Sequence, residues 1–222
     1  MSTVASEQRK ETPIRQVAVV GSGQMGNGIA HVFASAGFEV LLVDVRKELV
    51  DDALAAIRKN MERQVAKNSL SSDEMSRALD RIRPSILLEE AAKAQIVIEA
   101  VPEKLDLKKE VFARLDRCCP PAAVLATNTS SLSITALAAA TRRAPQVIGM
   151  HFMNPVPVMK LVEIIRGLET SEETYLTVRD LVTRLGKEPV ESRDYPGFIS
   201  NRILMPMINE ACFALMEGVA KR

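Results

Sequence analysis

The chain has 222 residues, of which 47% are hydrophobic and 26% charged, and its net charge is +1. This balance provides no basic surface for nucleic acid or an anionic membrane, and no apolar run is long enough to span a bilayer. The cysteines stand in no metal or redox spacing, which is typical of a reducing compartment. We therefore expect a cytoplasmic protein that contacts neither nucleic acid nor membrane and holds no metal.

The chain length allows one large core, or one large and one small domain. The N-terminal stretch lacks the apolar core of a signal peptide, and Glu7 and Glu11 argue against a transit peptide. We expect residues 1–14 to be a disordered tail and 15–195 to form a nucleotide-binding domain. A turn at 195–197 then leads into 196–222, which we expect to begin a helical domain.

A glycine-rich turn joins the first predicted strand to the first predicted helix. Residues 16–30 read QVAVVGSGQMGNGIA. The first glycine permits a tight turn, the second lets the backbone approach a pyrophosphate, and the third packs helix on strand. The N–H groups at the helix start then face the anion. The residues expected to contact a dinucleotide are Gly21, Ser22, Gly23, Gln24, Met25 and Gly26.

Asp44 follows the next apolar run, at 40–43, which predicts the second strand of a βαβ unit. A carboxylate in this place accepts hydrogen bonds from the adenosine ribose and repels a 2′-phosphate. The sequence therefore favours NAD over NADP, although Arg46 is of the type that accommodates such a phosphate.

A continuous helical pattern covers residues 47–67 and carries Lys59, Arg63 and Lys67 at four-residue steps. We call these three residues the basic rail. A solvated helix face is one interpretation, and a contact surface for a ligand with several phosphates is the other. Ser71 and Glu74 then have the spacing of a capping box, which predicts a second helix in this excursion from the sheet.

Apolar runs predict five further strands, at 94–101, 123–126, 147–150, 161–165 and 188–191. Glu103 and Lys108 follow the first of them, and the polar run TNTSS at 127–131 follows the second. Ligands of open α/β sheets bind at the carboxyl ends of the strands. The polar run is either a turn with a helix cap or a set of groups that hydrogen-bond a substrate.

His151 and Glu163 have the pattern of an acid–base pair. His151 directly follows the strand at 147–150, and Glu163 is an acidic residue set among aliphatic neighbours. A carboxylate so placed needs a partner, and a histidine held by a carboxylate is a suitable base for a hydroxyl proton. A purely structural hydrogen bond is the alternative. His31, in the first helix, is expected to pack or to lie on the surface.

Residues 198–218 predict a last helix that is apolar around most of its circumference and contains Pro206. Helices of this kind are normally buried, and monomers rarely expose such a patch. We therefore expect a homodimer through this helix. Near its start, Asn201 offers an amide that, with the hydroxyl of Ser130, can orient an alcohol or the carbonyl formed from it.

These motifs together resemble the 3-hydroxyacyl-CoA dehydrogenase family. The matching segments, in order, are GSGQMGNGIA at 21–30, EAVPEKLDLKKEVF at 99–112, NTSSLSI at 128–134, GMHFMNPVPVMKLVEII at 149–165, LGKEPVESRDYPGFISNRI at 185–203 and NEA at 209–211. The resemblance implies an α/β fold with a Rossmann-type, doubly wound, mostly parallel sheet and a helical excursion. One helix of a largely missing all-α C-terminal domain would follow.

The resemblance implies NAD-dependent oxidation of an L-3-hydroxyacyl-CoA, of short chain such as 3-hydroxybutyryl-CoA, or the reverse reaction. Such a reaction serves fatty-acid breakdown or butanoate synthesis. His151 is then the general base and Glu163 its partner, while Ser130 and Asn201 contact the reacting part of the substrate. Besides the glycine turn, the implied NAD contacts are Asp44, Glu103, Lys108, Ser130 and Asn154.

The resemblance also implies that coenzyme A lies near the helix at 47–67 and contacts Lys67, so the basic rail becomes a CoA contact. A second CoA position, serine in some members, is Asn60 here. Family members continue past the equivalent of Gly218 into helices that close the cleft and form the dimer interface. We therefore expect a fragment or a short variant that uses a partner chain, with an intact NAD fold and weak or absent activity.

Two other functions stay open. One is a non-catalytic NAD- or CoA-binding relative that keeps the fold. The other is a dehydrogenase of a free hydroxy acid, as in the carnitine dehydrogenase and lambda-crystallin relatives, which would have less use for Lys67. NADH formation with 3-hydroxybutyryl-CoA and then with free acids separates these functions.

Overall fold

The computed structural model describes residues 14–219, so the tail at 1–13 and the last three residues lie outside the described residues. The strands are β1 (Gln16–Val20), β2 (Glu39–Val43), β3 (Ile82–Ser85), β4 (Ile96–Glu99), β5 (Val124–Thr127), β6 (Val147–Phe152), β7 (Leu161–Arg166) and β8 (Glu188–Arg193). The helices are α1 (Gln24–Ser35), α2 (Lys47–Ala66), α3 (Ser72–Asp80), α4 (Leu105–Cys118), α5 (Ile134–Ala138), α6 (Glu172–Arg184) and α7 (Ser200–Met216).

All eight strands form one sheet in the order β3-β2-β1-β4-β5-β6-β7-β8. Neighbouring strands are parallel except β6 and β7, which are antiparallel. The chain runs outward from β1 to β3 and returns to β4 on the other side of β1. The predicted doubly wound fold is confirmed, and its topological switch point, where such sheets bind ligands, lies between β1 and β4.

Apolar side chains fill both faces of the sheet. Phe33 of α1 and Ile57 of α2 belong to the cluster on one face, whereas Phe112 of α4 and Ile134 of α5 belong to the cluster on the other. Burial on both faces explains why the central strands read as continuous apolar runs rather than alternating ones.

Two features of the sheet differ from the sequence-based expectation. The sequence did not predict β3, because its residues IRPS form neither an apolar run nor an alternating pattern. β3 is an edge strand, and an edge strand tolerates a proline such as Pro84. His151 was expected after its strand, but it lies within β6, since the ladder with β7 extends to Phe152.

The predicted capping box is present: Ser71 N donates to Glu74 Oε2 (2.8 Å) and Glu74 N to Ser71 Oγ (3.2 Å).

Asp194, directly after β8, caps the distant helix α5. Its Oδ1 accepts from Ile134 N (2.9 Å), while its Oδ2 accepts from Ser133 Oγ (2.7 Å) and Thr135 N (2.8 Å). Burial acts to raise the pKa of the Asp194 carboxyl, but these donors outweigh it and hold the pKa below its ordinary value. The contact ties the residue after β8 to α5, just before the segment that leads to α7.

Replacing Asp194 by alanine should lower the free energy of unfolding at pH 7 by about 2 kcal/mol, because three donors lose their acceptor. The folded pKa lies below the unfolded one, so this stabilisation is present above the unfolded pKa and disappears as the pH falls through the folded value. Urea unfolding at pH 7 and pH 3 should show the difference shrinking in acid. Asp180→Ala, which removes only an exposed pair with Arg179, is the control and should change little.

The residues of helix α7 are exposed or half-buried throughout. Pro206 lies inside the helix, and the side chain of Ile203 is 64% exposed. The predicted apolar helix is therefore present, with its apolar side chains on the surface. In the range 14–219 the helices are all too short or too polar to cross a membrane.

Candidate active site

The glycine turn leads from β1 into α1 at the switch point. A side chain at Gly21, whose φ is +96°, would meet Ala100 C at 2.6 Å, and one at Gly26 would meet Gly21 O at 1.7 Å. Both positions are therefore closed to any larger residue, whereas Gly23 borders open space. As the N-cap of α1, Gly23 has no side chain to cover the N–H groups of the first turn, so the turn fits the pyrophosphate of a dinucleotide.

Asp44 lies at the end of β2, beside the glycine turn. Its Oδ2 accepts hydrogen bonds from Ser22 N (2.7 Å) and Ser22 Oγ (2.8 Å), and its Oδ1 accepts from Val45 N (2.7 Å). The carboxylate therefore braces the turn, and its contact with a ribose stays a prediction. This bracing contact did not follow from the sequence, because it joins two loops 22 residues apart.

Glu99, Lys108 and Glu103 form a charged network at the end of β4. The Lys108 side chain is 1% exposed, and its ammonium donates to Glu99 Oε1 (2.7 Å) and lies 3.3 Å from Glu103 Oε2. Thr127 Oγ1 donates to Glu99 Oε2 (2.7 Å). Burial raises the pKa of the Glu99 carboxyl, and the Lys108 charge acts in the opposite direction. Lys108 thus lies beneath Glu103, and its direct contact with a cofactor stays a prediction.

Sequence reasoning missed Glu99 as part of this network. The available signal was a single acidic residue at the end of the apolar run AQIVIEAV. A buried carboxylate in such a run requires a cation and other donors. The sequence does not show which cation pairs with Glu99, because that depends on the path of the next helix. In the structure, α4 brings Lys108 to the end of β4.

Ser130 follows β5 and lies next to Glu103. Glu103 Oε1 accepts from Ser130 N (3.0 Å) and Ser130 Oγ (3.4 Å), and it also accepts a hydrogen bond from Thr129 Oγ1. Asn201 Nδ2 donates to the carbonyl oxygen of Ser130 at 3.1 Å, so the start of α7 reaches this loop. The structure therefore brings together three of the residues singled out in the sequence, from three separate segments.

His151 and Glu163 face each other directly across the antiparallel ladder of β6 and β7. His151 Nδ1 lies 2.7 Å from Glu163 Oε2, and both side chains are buried. Because an ionised carboxylate only accepts hydrogen bonds, the neutral imidazole carries its proton on Nδ1 and leaves Nε2 as the basic nitrogen. The partner that the sequence predicted for Glu163 is thus the one the fold supplies.

Glu163 has a second set of donors from the segment that starts α7. Its Oε1 accepts from Ser200 N (2.7 Å) and Ile199 N (3.1 Å). Burial alone would raise the pKa of Glu163, but the hydrogen bonds from His151 and Ser200 hold it below its ordinary value. The carboxylate is therefore ionised at neutral pH and is fixed on both oxygens.

Asn154 lies on the exposed loop after β6, where Gln24 Nε2 of α1 donates to its Oδ1 at 3.2 Å. Gly28 of α1 packs against Val156 of the same loop, and a side chain at Gly28 would meet Val156 Cβ at 2.9 Å. The loop is thus held against the first turns of α1, which places Asn154 beside the glycine turn.

The basic rail lies on the exposed side of α2, and Arg63 Nη1 is 3.4 Å from Asn60 Oδ1. His31, on α1 beneath α2, is buried and its Nε2 lies 3.2 Å from Gln64 Oε1. Burial lowers the pKa of His31. Of the two placements expected for His31, packing and surface, the structure shows packing, whereas the CoA contacts of Lys67 and Asn60 stay predictions.

Two family models match the chain. The model for the NAD binding domain of 3-hydroxyacyl-CoA dehydrogenase matches residues 16–195, and the model for the C-terminal domain of that enzyme matches residues 197–222. Together they take in every residue of the site described above.

Individual relatives support the same family as the family models. The chain is 54% identical over 208 residues to the probable 3-hydroxybutyryl-CoA dehydrogenase of Bacillus subtilis, covering 94% of this chain and 72% of that protein. It is 48% identical over 206 residues to the 3-hydroxybutyryl-CoA dehydrogenase of Bradyrhizobium diazoefficiens, covering 93% and 70%.

The solved structure of (S)-3-hydroxybutyryl-CoA dehydrogenase from Ralstonia eutropha superposes with a TM-score of 0.92 at 46% identity, over 94% of this chain and 74% of that one. The glycine turn at the switch point, the family models and these relatives all lead to one assignment. The chain belongs to the 3-hydroxyacyl-CoA dehydrogenase family, and its cofactor is NAD.

Proposed function

We propose that this chain oxidises a short L-3-hydroxyacyl-CoA, such as 3-hydroxybutyryl-CoA, to the 3-ketoacyl-CoA and catalyses the reverse reaction. The observation that carries the proposal is the buried His151–Glu163 pair. It lies at the carboxyl-terminal side of the parallel strands, which is also where the glycine turn follows β1. The names of the relatives from Bacillus and Bradyrhizobium support the short substrate.

In this proposal NAD, when bound, takes up the hydride that leaves the alcohol carbon. His151 Nε2 accepts the hydroxyl proton, because Nδ1 is engaged by Glu163. Glu163 keeps the imidazole in that tautomer and stabilises the imidazolium that forms. Ser130 and Asn201, which are joined through the Ser130 carbonyl, orient the substrate oxygen.

For the cofactor, we assign the pyrophosphate to the glycine turn and the adenosine ribose to Asp44. Glu103 and Asn154 border the nicotinamide side, with Ser130 between cofactor and substrate. Lys108 contributes from beneath by holding Glu103. Burial acts to raise the pKa of Glu103, but the hydrogen bond from Thr129 and the charge of Lys108 hold it below its ordinary value.

For the CoA moiety, we assign the phosphates to the basic rail, with Lys67 and Asn60 as contacts. Lys67→Ala should raise the KM for 3-hydroxybutyryl-CoA about three- to tenfold, as expected for losing one exposed charge–phosphate contact, and should leave the KM for NAD unchanged. Lys93→Ala, which removes an exposed lysine before β4 at the opposite end of the sheet, is the matched control. Equal KM values for the two variants would remove Lys67 from the substrate site.

We also propose that two copies pair through α7. The large apolar residues exposed on α7 are Ile203, Leu204, Met205, Met207, Ile208, Phe213, Leu215 and Met216. A patch of this size is rarely left uncovered by a monomer. Light scattering coupled to size exclusion should show a dimer that Met207→Glu converts to a monomer. A fully active wild-type monomer at all concentrations would contradict the pairing.

The function itself is tested by mixing the purified chain with NAD and 3-hydroxybutyryl-CoA, then with free hydroxy acids, and following NADH. Turnover of the CoA ester alone supports the proposal. Turnover of a free acid instead would indicate the related hydroxy-acid dehydrogenases. NAD binding without turnover of either would show a binding protein that keeps the fold.

A further inference from the structure

The segment 197–201 touches the candidate acid–base pair at several points. It contains two consecutive residues with left-handed backbone, Gly197 with φ +78° and Phe198 with φ +50°. For a bulky residue this conformation is rare, and it persists only where the surroundings impose it. Strained residues of this kind cluster at functional sites, and Phe198 lies beside the candidate acid–base pair.

The Phe198 ring contacts His151 directly. The two ring centroids are 6.0 Å apart at an angle of 60°, an edge-to-face arrangement, and Phe198 is only 3% exposed. The ring belongs to the apolar cluster that includes Ile134 and Ile165, so it is held from behind by the sheet domain. An apolar ring in this place limits the orientations open to the imidazole and keeps water from that side of it.

The backbone next to Phe198 contacts Glu163, the other member of the pair. The chain turns at Gly197 and Phe198 so that the next two N–H groups, from Ile199 and Ser200, point at Glu163 Oε1. One residue later Asn201 reaches the Ser130 carbonyl. The left-handed conformation of Phe198 therefore sets both the ring against His151 and the amides against Glu163.

From these contacts we propose that Phe198 is a positioning residue for His151. Its ring fixes the imidazole with Nδ1 toward Glu163 and Nε2 toward the substrate, and it excludes water from the hydrogen bond between the pair. This inference rests on the proposed role of His151 as the base.

The kinetic test compares two phenylalanine-to-leucine variants. Phe198→Leu keeps an apolar side chain but removes the ring, and it should lower kcat about tenfold with the KM for NAD unchanged within twofold, since a displacement of about 1 Å can cost about 10²-fold and leucine retains part of the packing. Phe38→Leu is the matched control, because Phe38 is equally buried but packs against Phe33 away from the site. Phe198→Gly relieves the left-handed strain yet lacks the ring, and it should also lose at least tenfold in kcat.

A spectroscopic test needs no turnover, so it stands even if the proposed activity fails. The chain has only two histidines, His31 and His151, so each imidazole can be assigned by one substitution. In the wild-type protein, nuclear Overhauser contacts should join the ring protons of Phe198 and His151. The Nδ1 proton of His151 should be protected from solvent exchange, and Phe198→Leu should shift the His151 ring signals while leaving those of His31 in place.

The results distinguish a positioning role of Phe198 from a general contribution to the stability of the fold. Loss of kcat in Phe198→Leu but not in Phe38→Leu, with shifted His151 signals, supports the proposal. Unchanged His151 signals, or equal kcat losses in the two variants at matched thermal stability, would overturn it. If the Phe198 variants fail to fold, the wild-type contacts decide: absence of a cross-peak between the two rings, or rapid exchange of the Nδ1 proton, would also overturn it.

Discussion

Replacing His151 by alanine is expected to lower kcat by about 10²–10⁴-fold, the usual contribution of a positioned general base. The affinity for NAD should stay close to that of the wild type, because the glycine turn and Asp44 belong to β1, α1 and β2 rather than to β6. Steady-state NADH formation with 3-hydroxybutyryl-CoA measures the first quantity, and titration of NAD by calorimetry measures the second.

The control for this variant is the other histidine. His31→Gln keeps a side chain able to hydrogen-bond Gln64, and it should leave kcat within a few-fold because His31 lies beneath α2, away from the pair. Thermal unfolding of both variants shows whether the fold is intact. If His151→Ala were within tenfold of the wild type in kcat, the base would have to be another group.

Glu163→Gln is expected to lower kcat by about 10³-fold or more, as the loss of the carboxylate from a histidine–carboxylate pair does elsewhere. The amide oxygen of glutamine can still accept from Ile199 N and Ser200 N, which leaves its NH₂ group facing His151 Nδ1. Nδ1 must then accept rather than donate, so the ring proton moves to Nε2. A protonated Nε2 cannot take a proton from the substrate, although the packing is unchanged.

This variant distinguishes a catalytic carboxylate from a structural one. Thermal stability of Glu163→Gln near that of the wild type, together with the loss of kcat, is the expected pair of results. Glu163→Ala is the comparison, since it strips all three donors of their acceptor and should lose about 3 kcal/mol or more of stability as well. Full activity of Glu163→Gln would show that the hydrogen bond to His151 only supports the fold.

The local sequence predicted most of the fold. The glycine turn, the capping box at Ser71 and the apolar strands are each written in a few neighbouring residues, because turns, caps and burial on both faces impose requirements on residues close in the chain. β3 is the exception: its four residues carry no periodic signal, and only the hydrogen bonds of the neighbouring β2 make it a strand.

For the candidate site, the sequence identified the residue types but not their arrangement. Residue types alone identified His151, Glu163, Ser130 and Asn201 as groups able to act on an alcohol. Their arrangement depends on contacts between distant segments, such as Asn201 with Ser130, which are 71 residues apart. Spacing along the chain carries no information on such contacts, because they depend on how the strands and loops are placed.

By itself, the sequence predicted a dinucleotide site at residues 21–26 and offered a histidine and a glutamate as candidates for proton transfer. The tertiary structure decided that these two side chains face each other, because the ladder of β6 and β7 is antiparallel and its register opposes His151 to Glu163. It also decided which residues hold the pair, Phe198 from one side and the amides that start α7 from the other. A shift of one residue in that register would turn one of the two side chains to the opposite face of the sheet, since side chains alternate along a strand.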